Sequence, residues 1–139
     1  YIEDENYALM LKDFDFGGLV TWRGFLRTNE LQKELRYCRA LINTPKWNEA
    51  YGNVIVESLA CGVPVVAYER GGPSEIIKHG LTGFLVDPDN KDELLKYLKK
   101  IKSINRYECR AWVENNASIK IFADKVEKWL QEIIKNFDN

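Results

Sequence analysis

The sequence is poor in the residues on which several classes of protein depend. A single histidine, His79, leaves no material for a histidine-based catalytic triad or a histidine-rich metal site. The cysteines Cys38, Cys61 and Cys109 are odd in number and widely spaced, which excludes a disulfide framework and a zinc site, so we expect reduced, mostly buried thiols. His79 precedes Gly80 at a predicted helix end, where its expected role is capping.

Neither sign of charge is in excess. Twenty Lys and Arg against 21 Asp and Glu leave a formal net charge of -1, so no basic field favours nucleic acid or an anionic membrane as the main partner. No apolar run approaches the ~20 residues that cross a bilayer, and the start does not read as a signal peptide. We expect no nucleic-acid partner, no transmembrane segment and a cytoplasmic protein that binds a small molecule.

The length bounds the fold. With 139 residues, of which 45% are hydrophobic, the chain is long enough for one domain with a modest core. It begins at Tyr1 with a helix-like polar run, and we therefore expect it to be part of a longer protein.

Strands and helices are predicted to alternate along most of the chain. In order they are an apolar strand around Leu19 to Trp22, a helix from Asn29 to Cys38 with Leu31, Leu35 and Cys38 on one face, a strand Ala40 to Asn43, a helix Asn53 to Ala60, a strand Val65 to Ala67, a short helix opening at Pro73, and a strand Phe84 to Val86. The wholly apolar run Val65 to Ala67 is typical of a parallel strand covered on both faces. The pattern predicts an α/β fold, a Rossmann-like doubly wound parallel sheet with about four strands.

Two further helices follow. Asn90 and Glu93 form a capping-box pattern, and the next helix has one apolar face made of Leu94, Leu95, Leu98 and Ile101. Ser118 is expected to cap the last helix, whose apolar stripe comprises Ile119, Phe122, Ala123, Val126, Leu130, Ile133, Ile134 and Phe137. An exposed stripe of this length predicts self-association.

The segment from Asn43 to Gly72 carries the strongest functional signal. Glu49 lies in a polar loop, Glu57 lies about one turn into a helix, and Gly52 precedes that helix. Helical side chains lean toward the helix N-terminus, so both carboxylates are expected to border one cleft at the carboxyl edge of the sheet.

This layout favours a sugar nucleotide. Carboxylates only accept hydrogen bonds, so the pair suits the hydroxyls of a ribose or a hexose. The free amides near Asn53 and Val54 can receive a phosphate or sugar oxygen, and Lys46 and Arg70 are nearby cations. A second loop with Gly71 and Gly72 is expected to close the other side of the cleft.

Each feature alone has a simpler interpretation. A lone Glu57 is more often a partner of the helix dipole, and Gly71-Gly72 alone is merely a turn. Trp47 and Tyr51 are more often loop anchors or core residues than ligand platforms. The functional hypothesis depends on the combination.

That combination, EAYGNVIVE followed by SLACGVPVVAYERGGPSEII and GLTGFLVDP, resembles the family 4 retaining glycosyltransferases of the GT-B fold, with E-x7-E from Glu49 to Glu57. Upstream, GLVTWRGFLRTNELQKELRYCRALINTP is similar as well, so residues 1–139 are identified with part of the C-terminal donor-binding domain. The resemblance implies that Glu49 holds the transferred sugar and supports charge at the anomeric carbon, and that Glu57 takes the ribose hydroxyls. It implies the following further donor-binding residues: Tyr51, Gly52, Asn53 and Val54 at the sugar and diphosphate, and Gly24, Phe25 and Leu26 near the base.

The family's glycine-rich, basic diphosphate-binding segment and its N-terminal acceptor domain have no match in this sequence. The resemblance therefore implies a metal-free, cofactor-free hexosyl transfer from a nucleoside diphosphate sugar to a glycan, lipid or small-molecule acceptor in a larger parent protein, which is cytoplasmic or peripheral to a membrane. This piece is not expected to catalyse transfer alone. A non-catalytic nucleotide-sugar-binding module and a GT-B-fold epimerase or phosphorylase remain the alternatives, and E-x7-E argues against the latter.

Overall fold

The computed structural model describes residues 5–14 and 16–137. The helices are α1 (Glu5–Asp13), α2 (Thr28–Leu35), α3 (Asn53–Ala60), α4 (Pro73–Ile76), α5 (Lys91–Lys100), α6 (Arg106–Asn116) and α7 (Ile119–Phe137), with a short 3-10 turn at Ile101–Ser103. The strands are β1 (Leu41–Asn43), β2 (Val65–Tyr68) and β3 (Gly83–Val86). The predicted α/β class is confirmed.

The three strands form one parallel sheet in the order β1-β2-β3. Leu41 pairs with Val65 and Val65 pairs with Gly83, so the strands start nearly level with one another. All four residues of β2 are buried, which confirms that it is the central strand and is covered on both faces. The loops after the three strands therefore gather at one carboxyl edge.

The core lies between this sheet and the helices. Ile55 and Leu59 of α3 are fully buried against it, since apolar residues four apart share one helix face. Cys109 and Val113 give α6 the same four-residue spacing. The order and length of these elements place α3 directly after the loop that contains Glu49.

One predicted strand is wrong. Leu19 to Trp22 is irregular chain, and within the described residues the sheet has three strands rather than about four. Leu19 is 90% exposed and Trp22 is 52% exposed, and among residues 5–14 and 16–137 no strand pairs with this apolar run. A short apolar run becomes a strand only when a ladder partner is available.

The cysteine and histidine predictions need partial correction. Helix α2 ends at Leu35, so Cys38 lies beyond it and is exposed, whereas Cys61 is half-buried and Cys109 is buried. All three are free thiols, as expected. The ring of His79 does not cap a helix, because its Nδ1 accepts a hydrogen bond from the amide of Leu85 at 3.2 Å.

The predicted start of α5 is confirmed in part. The side chain of Asn90 accepts from the amide of Glu93 at 3.0 Å, but the Glu93 carboxylate accepts from the amide of Asp87 instead of returning to Asn90. Leu94 and Leu98 are partly buried against the core, and Ile101, just after α5, is buried, whereas Leu95 is 54% exposed and does not belong to this face.

Helix α6 was not predicted, because the polar sequence RYECRAWVENN hides its two buried residues. Helix α7 was predicted, and Ser118 Oγ accepts from the amide of Ile121 at its start. Its apolar stripe is not buried: Ile119, Phe122 and Ile134 are all more than half exposed. None of the described helices combines the length and the apolar content that a bilayer crossing requires.

Candidate functional site

Two loops at the carboxyl edge of the sheet lie backbone against backbone. Glu49, in the loop after β1, forms an isolated parallel bridge with Gly71, in the loop after β2. The Glu49 amide donates to the carbonyl of Arg70 at 3.2 Å, and the Glu49 carbonyl accepts from the amide of Gly72 at 2.7 Å. The main chain of the predicted catalytic residue is thus fixed to the end of the central strand.

The paired glycines make this approach possible. A Cβ on Gly71 would lie 2.3 Å from the carbonyl oxygen of Glu49, and one on Gly72 would lie 2.2 Å from the carbonyl oxygen of Tyr51. We expected the loop that carries this pair to close the other side of the cleft, which stays a prediction. The structure shows that the glycines hold the two loops together, because any side chain there would push the backbones apart.

Arg70 ties a third loop to the other two. Its Nη1 donates to the carbonyl of Lys46 at 2.6 Å, and its Nη2 forms a salt bridge with Asp89, which follows β3. We expected Arg70 to be a cation for the diphosphate. That expectation needs correction, because the guanidinium is engaged within the protein and builds the site. The ammonium of Lys46 has no salt bridge within the described residues.

The start of α3 offers two amide donors. Gly52, at its N-cap, has φ +97° in the left-handed region, and its carbonyl accepts from the amide of Ile55 at 2.9 Å. No described residue accepts a hydrogen bond from the amides of Asn53 or Val54. These donors stand at the positive end of an eight-residue helix, where a phosphate or a sugar oxygen is favoured.

The two glutamates differ in how they are held. Trp47 Nε1 donates to Glu49 Oε2 at 3.3 Å, and Glu49 Cγ would lie 3.7 Å from a Cβ on Gly52, so the Glu49 side chain runs beside the start of α3. Glu57 is half-buried within α3 and forms no side-chain hydrogen bond within the described residues. Its carboxylate therefore keeps its full capacity to accept ligand hydroxyls. The sharing of one cleft by the two carboxylates stays a prediction.

The sequence did not identify every residue that shapes this region. Trp47 was interpreted as a loop anchor, yet its indole orients the Glu49 carboxylate. Asn43, the last residue of β1, has a buried Oδ1 with no partner among the described residues. An aromatic residue two positions before a loop carboxylate was the only available signal, and it is a weak one.

The other predicted donor-binding residues lie in two places. Tyr51 and Asn53 line an apolar cavity of about 560 Å³ between the start of α3 and the junction of α6 with α7, where Phe122 is exposed. Gly24, Phe25 and Leu26 lie in irregular chain before α2, with Phe25 88% exposed. No hydrogen bond among the described residues joins this segment to the Glu49 loop, so its role near a base stays a prediction.

Neither Cys61 nor Cys109 is suited to be a nucleophile. Burial raises the pKa of the Cys61 thiol, an effect that Arg110 opposes and Glu57 reinforces, and burial raises the pKa of Cys109 to about 11. Both stay protonated at neutral pH. Within the described residues no three His, Cys, Asp or Glu side chains are grouped as they would be to hold a metal ion.

Comparisons with known proteins agree on the family. Residues 3–118 match the sequence profile described as glycosyl transferases group 1. The chain is 29% identical over 116 residues to sucrose synthase 4 of Oryza sativa subsp. japonica, covering 81% of this chain and 14% of that protein. It is 33% identical over 96 residues to sucrose synthase 3 of Arabidopsis thaliana, covering 66% of this chain and 12% of that protein.

Solved structures give the same result. Anabaena HepE in complex with UDP and glucose has a TM-score of 0.71 at 25% identity, covering 81% of this chain and 32% of that one. TarM has a TM-score of 0.71 at 25% identity, covering 90% and 25%. The chain therefore spans a third or less of the length of these relatives. The resemblance to the GT-B glycosyltransferases is confirmed, and the chain belongs to the group 1 glycosyl transferases as part of their C-terminal domain.

Proposed function

We propose that this chain holds a nucleoside diphosphate hexose at the carboxyl edge of its sheet. In the protein that carries it, the hexosyl group passes with retention of configuration to a glycan, lipid or small-molecule acceptor. The donor we place here is a UDP-hexose, with UDP-glucose first, because HepE, similar to 81% and 78% of this chain, has been solved with UDP and glucose and with UDP-glucose.

The observation that carries the proposal is the fixed backbone of Glu49. Its amide and carbonyl are both bonded to the loop after β2, and Trp47 holds its carboxylate. A carboxylate held in this way can stabilise the positive charge that develops at an anomeric carbon. Because the protein already fixes its position, no groups around it have to reorient during the reaction.

The other end of the donor is assigned by charge. A diphosphate is repelled by carboxylates and favoured by the free amides of Asn53 and Val54 and by the Lys46 ammonium. Glu57, which has no partner for its carboxylate within the described residues, accepts the ribose hydroxyls. No divalent ion is needed in this arrangement, so chelation of metals leaves donor affinity unchanged.

The test compares two glutamate variants by calorimetric titration with UDP and with UDP-glucose. Glu57→Gln weakens both ligands equally, by about tenfold or more, since a hydrogen bond to a charged group is worth roughly 1.5–3 kcal/mol. Glu49→Gln leaves UDP affinity near that of the wild type and removes the extra affinity for the glucosyl group. Glu75→Gln, on the exposed face of α4, is the matched control.

Equal losses in Glu75→Gln and Glu57→Gln contradict the assignment of the ribose contact. A Glu49→Gln variant that keeps the full preference for UDP-glucose over UDP removes the sugar contact from Glu49. The non-catalytic alternative predicts the same binding with no transfer in the protein that carries this chain.

A further inference from the structure

A second polar surface lies at the opposite, amino edge of the sheet. It holds seven cations, which we call the basic edge: Lys33, Arg36, Arg39, Lys99, Lys102, Arg106 and Arg110. The order of the elements places these cations at the amino edge. Arg39 lies two residues before β1, and the Cys61–Gly62 turn, which leads from α3 into β2, lies in the middle of the basic edge. The candidate donor site is at the other end of the same strands.

The basic edge consists of three adjoining concavities. The first, of about 530 Å³, is lined by Lys33, Arg36 and Arg110 around Cys61. The second, of about 320 Å³, shares Cys61 and Arg110 and adds Arg106. The third, of about 380 Å³, is lined by Arg39, Lys99 and Lys102. Among the described residues, those that line the three concavities include no acidic side chain, although Glu114 pairs with Arg110 beside them, so the charge of this surface is mainly positive.

Arg106 joins these concavities. Its Nη1 donates to the carbonyl of Cys38 at 3.0 Å and its Nη2 donates to the carbonyl of Arg36 at 2.8 Å. These bonds hold the segment 36–39, which lies between the first concavity and the third. Both acceptors are neutral, so the positive charge of Arg106 is not compensated.

Most of the charge is unpaired. Among the described residues, one salt bridge involves the basic edge, from Arg110 Nε to Glu114 at 2.8 Å. Arg110 also donates to the carbonyl of Ala60 at the end of α3, and Arg106 serves the carbonyls after α2. Lys33 and Lys99 lie in the last turns of α2 and α5, and Lys102 lies in the last turn of the 3-10 helix, so part of this charge also stabilises helix ends. Six of the seven cations nevertheless have no salt-bridge partner among the described residues.

The rim of the basic edge is amphipathic. Tyr37 is 79% exposed with the Arg36 guanidinium 4.8 Å from its ring centroid, Tyr107 is 84% exposed, and Leu95 is 54% exposed. Tyrosines and aliphatic side chains beside Lys and Arg are the composition that enters the interface of a bilayer. Duplex DNA and soluble phosphates would use the cations but would not bury the apolar part of this rim.

We propose that the basic edge docks on an anionic phospholipid bilayer. The cations meet headgroup phosphates, while Tyr37, Tyr107 and Leu95 enter the interfacial layer. The near-zero total charge concealed this surface, because seven of the chain's 20 Lys and Arg are gathered on one edge. Docking in this orientation turns the candidate donor site away from the bilayer, so bound protein still takes up a soluble ligand.

The test is co-sedimentation of the chain with vesicles of phosphatidylcholine, with or without phosphatidylglycerol. Binding is expected to the anionic vesicles and to fall as salt is raised. We test two double variants: Lys33→Gln with Arg36→Gln, and Lys99→Gln with Lys102→Gln. Each is expected to weaken vesicle binding about 25-fold, because the loss of one cation weakens it about fivefold. These side chains are exposed and lie on separate elements, and circular dichroism melting checks the fold of each variant.

The matched control, Lys46→Gln with Lys91→Gln, removes two cations at the carboxyl edge and is expected to bind like the wild type. Equal weakening in the control overturns the proposal, since it indicates attraction by net charge alone. Equal binding to pure phosphatidylcholine overturns it as well, because the apolar stripe of α7 then accounts for the contact. Displacement of the vesicles by duplex DNA at equal phosphate concentration assigns the surface to nucleic acid instead.

Discussion

The amide of Gly72 donates a hydrogen bond to the carbonyl oxygen of Glu49 over 2.7 Å. With the bond from the Glu49 amide to Arg70, it joins the loops after β1 and β2 into one unit. The position of the Glu49 carboxylate therefore depends on a residue 23 positions away that has no side chain. The geometry of this edge of the sheet is therefore set by backbone packing as well as by side chains.

Gly72→Ala is expected to destabilise the fold and to abolish donor binding. Gly72 has φ -47°, at which alanine is normally neutral or favourable, but its Cβ would lie 2.2 Å from the carbonyl oxygen of Tyr51. Gly80→Ala is the control, because Gly80 has φ +82° and open space around it, so it carries only the strain of about 1–2 kcal/mol. The two variants are compared by urea unfolding and by UDP titration. If Gly72→Ala lowers the free energy of unfolding less than Gly80→Ala does, the close-packing argument is contradicted.

Arg70→Gln is expected to lower the free energy of unfolding by about 1–3 kcal/mol, because the carbonyl of Lys46 loses a charge-assisted hydrogen bond. Asp89→Asn should cost less than about 1 kcal/mol, since the Asp89 side chain is exposed and asparagine tolerates its φ of +63°. Both are measured by urea unfolding. If the two variants cost the same, Arg70 acts through the ion pair rather than through the loop.

In the protein that carries this chain, Glu49→Gln is expected to abolish transfer while sparing the fold. Loss of a preorganised electrostatic contact costs about 100-fold to 1,000-fold in kcat, and loss of the sugar contact adds to this. Steady-state transfer from UDP-glucose and thermal melting are measured together, with Glu75→Gln as the control. A Glu49→Gln variant with a near-normal rate removes the catalytic role from this residue.

Cys109 is expected to make stability depend on alkaline pH. Its pKa is raised from 9.0 to about 11 by burial, so the folded protein holds the thiol proton more tightly than the unfolded chain does. The stability that this proton binding adds to the folded state is fully present below pH 9.0 and is lost as the pH rises through about 11. The destabilisation caused by Cys109→Ala should therefore shrink by roughly 2–3 kcal/mol across that window, measured by urea unfolding with a reductant present. An unchanged difference contradicts the shift.

Helix α7 is expected to drive self-association of the isolated chain. Phe122, Trp129, Leu130 and Ile134 leave an apolar stripe open along a 19-residue helix. Trp129→Gln with Ile134→Gln should convert dimers to monomers in sedimentation velocity, whereas Leu19→Gln, at an even more exposed site outside the helix, should not. A wild-type chain that stays monomeric at high concentration contradicts this.

The sequence predicted those elements whose local and tertiary signals agree. The start of α3 and the central position of β2 followed from Gly52 and from the wholly apolar run Val65 to Ala67. Leu19 to Trp22 failed because its apolar pattern has no ladder partner. The roles of Arg70 and Gly72 were also out of reach, because each depends on a carbonyl from another loop.

The central claim is that a nucleoside diphosphate sugar binds where α3 begins. The most direct measurement is an amide-resolved NMR titration of the chain with UDP, GDP and ADP and with their hexose conjugates. The account predicts a dispersed spectrum in which the amides from Gly52 to Glu57 shift most, with UDP and UDP-glucose the strongest ligands. A dispersed spectrum that no nucleotide perturbs, or one whose shifts centre on the basic edge, would contradict it.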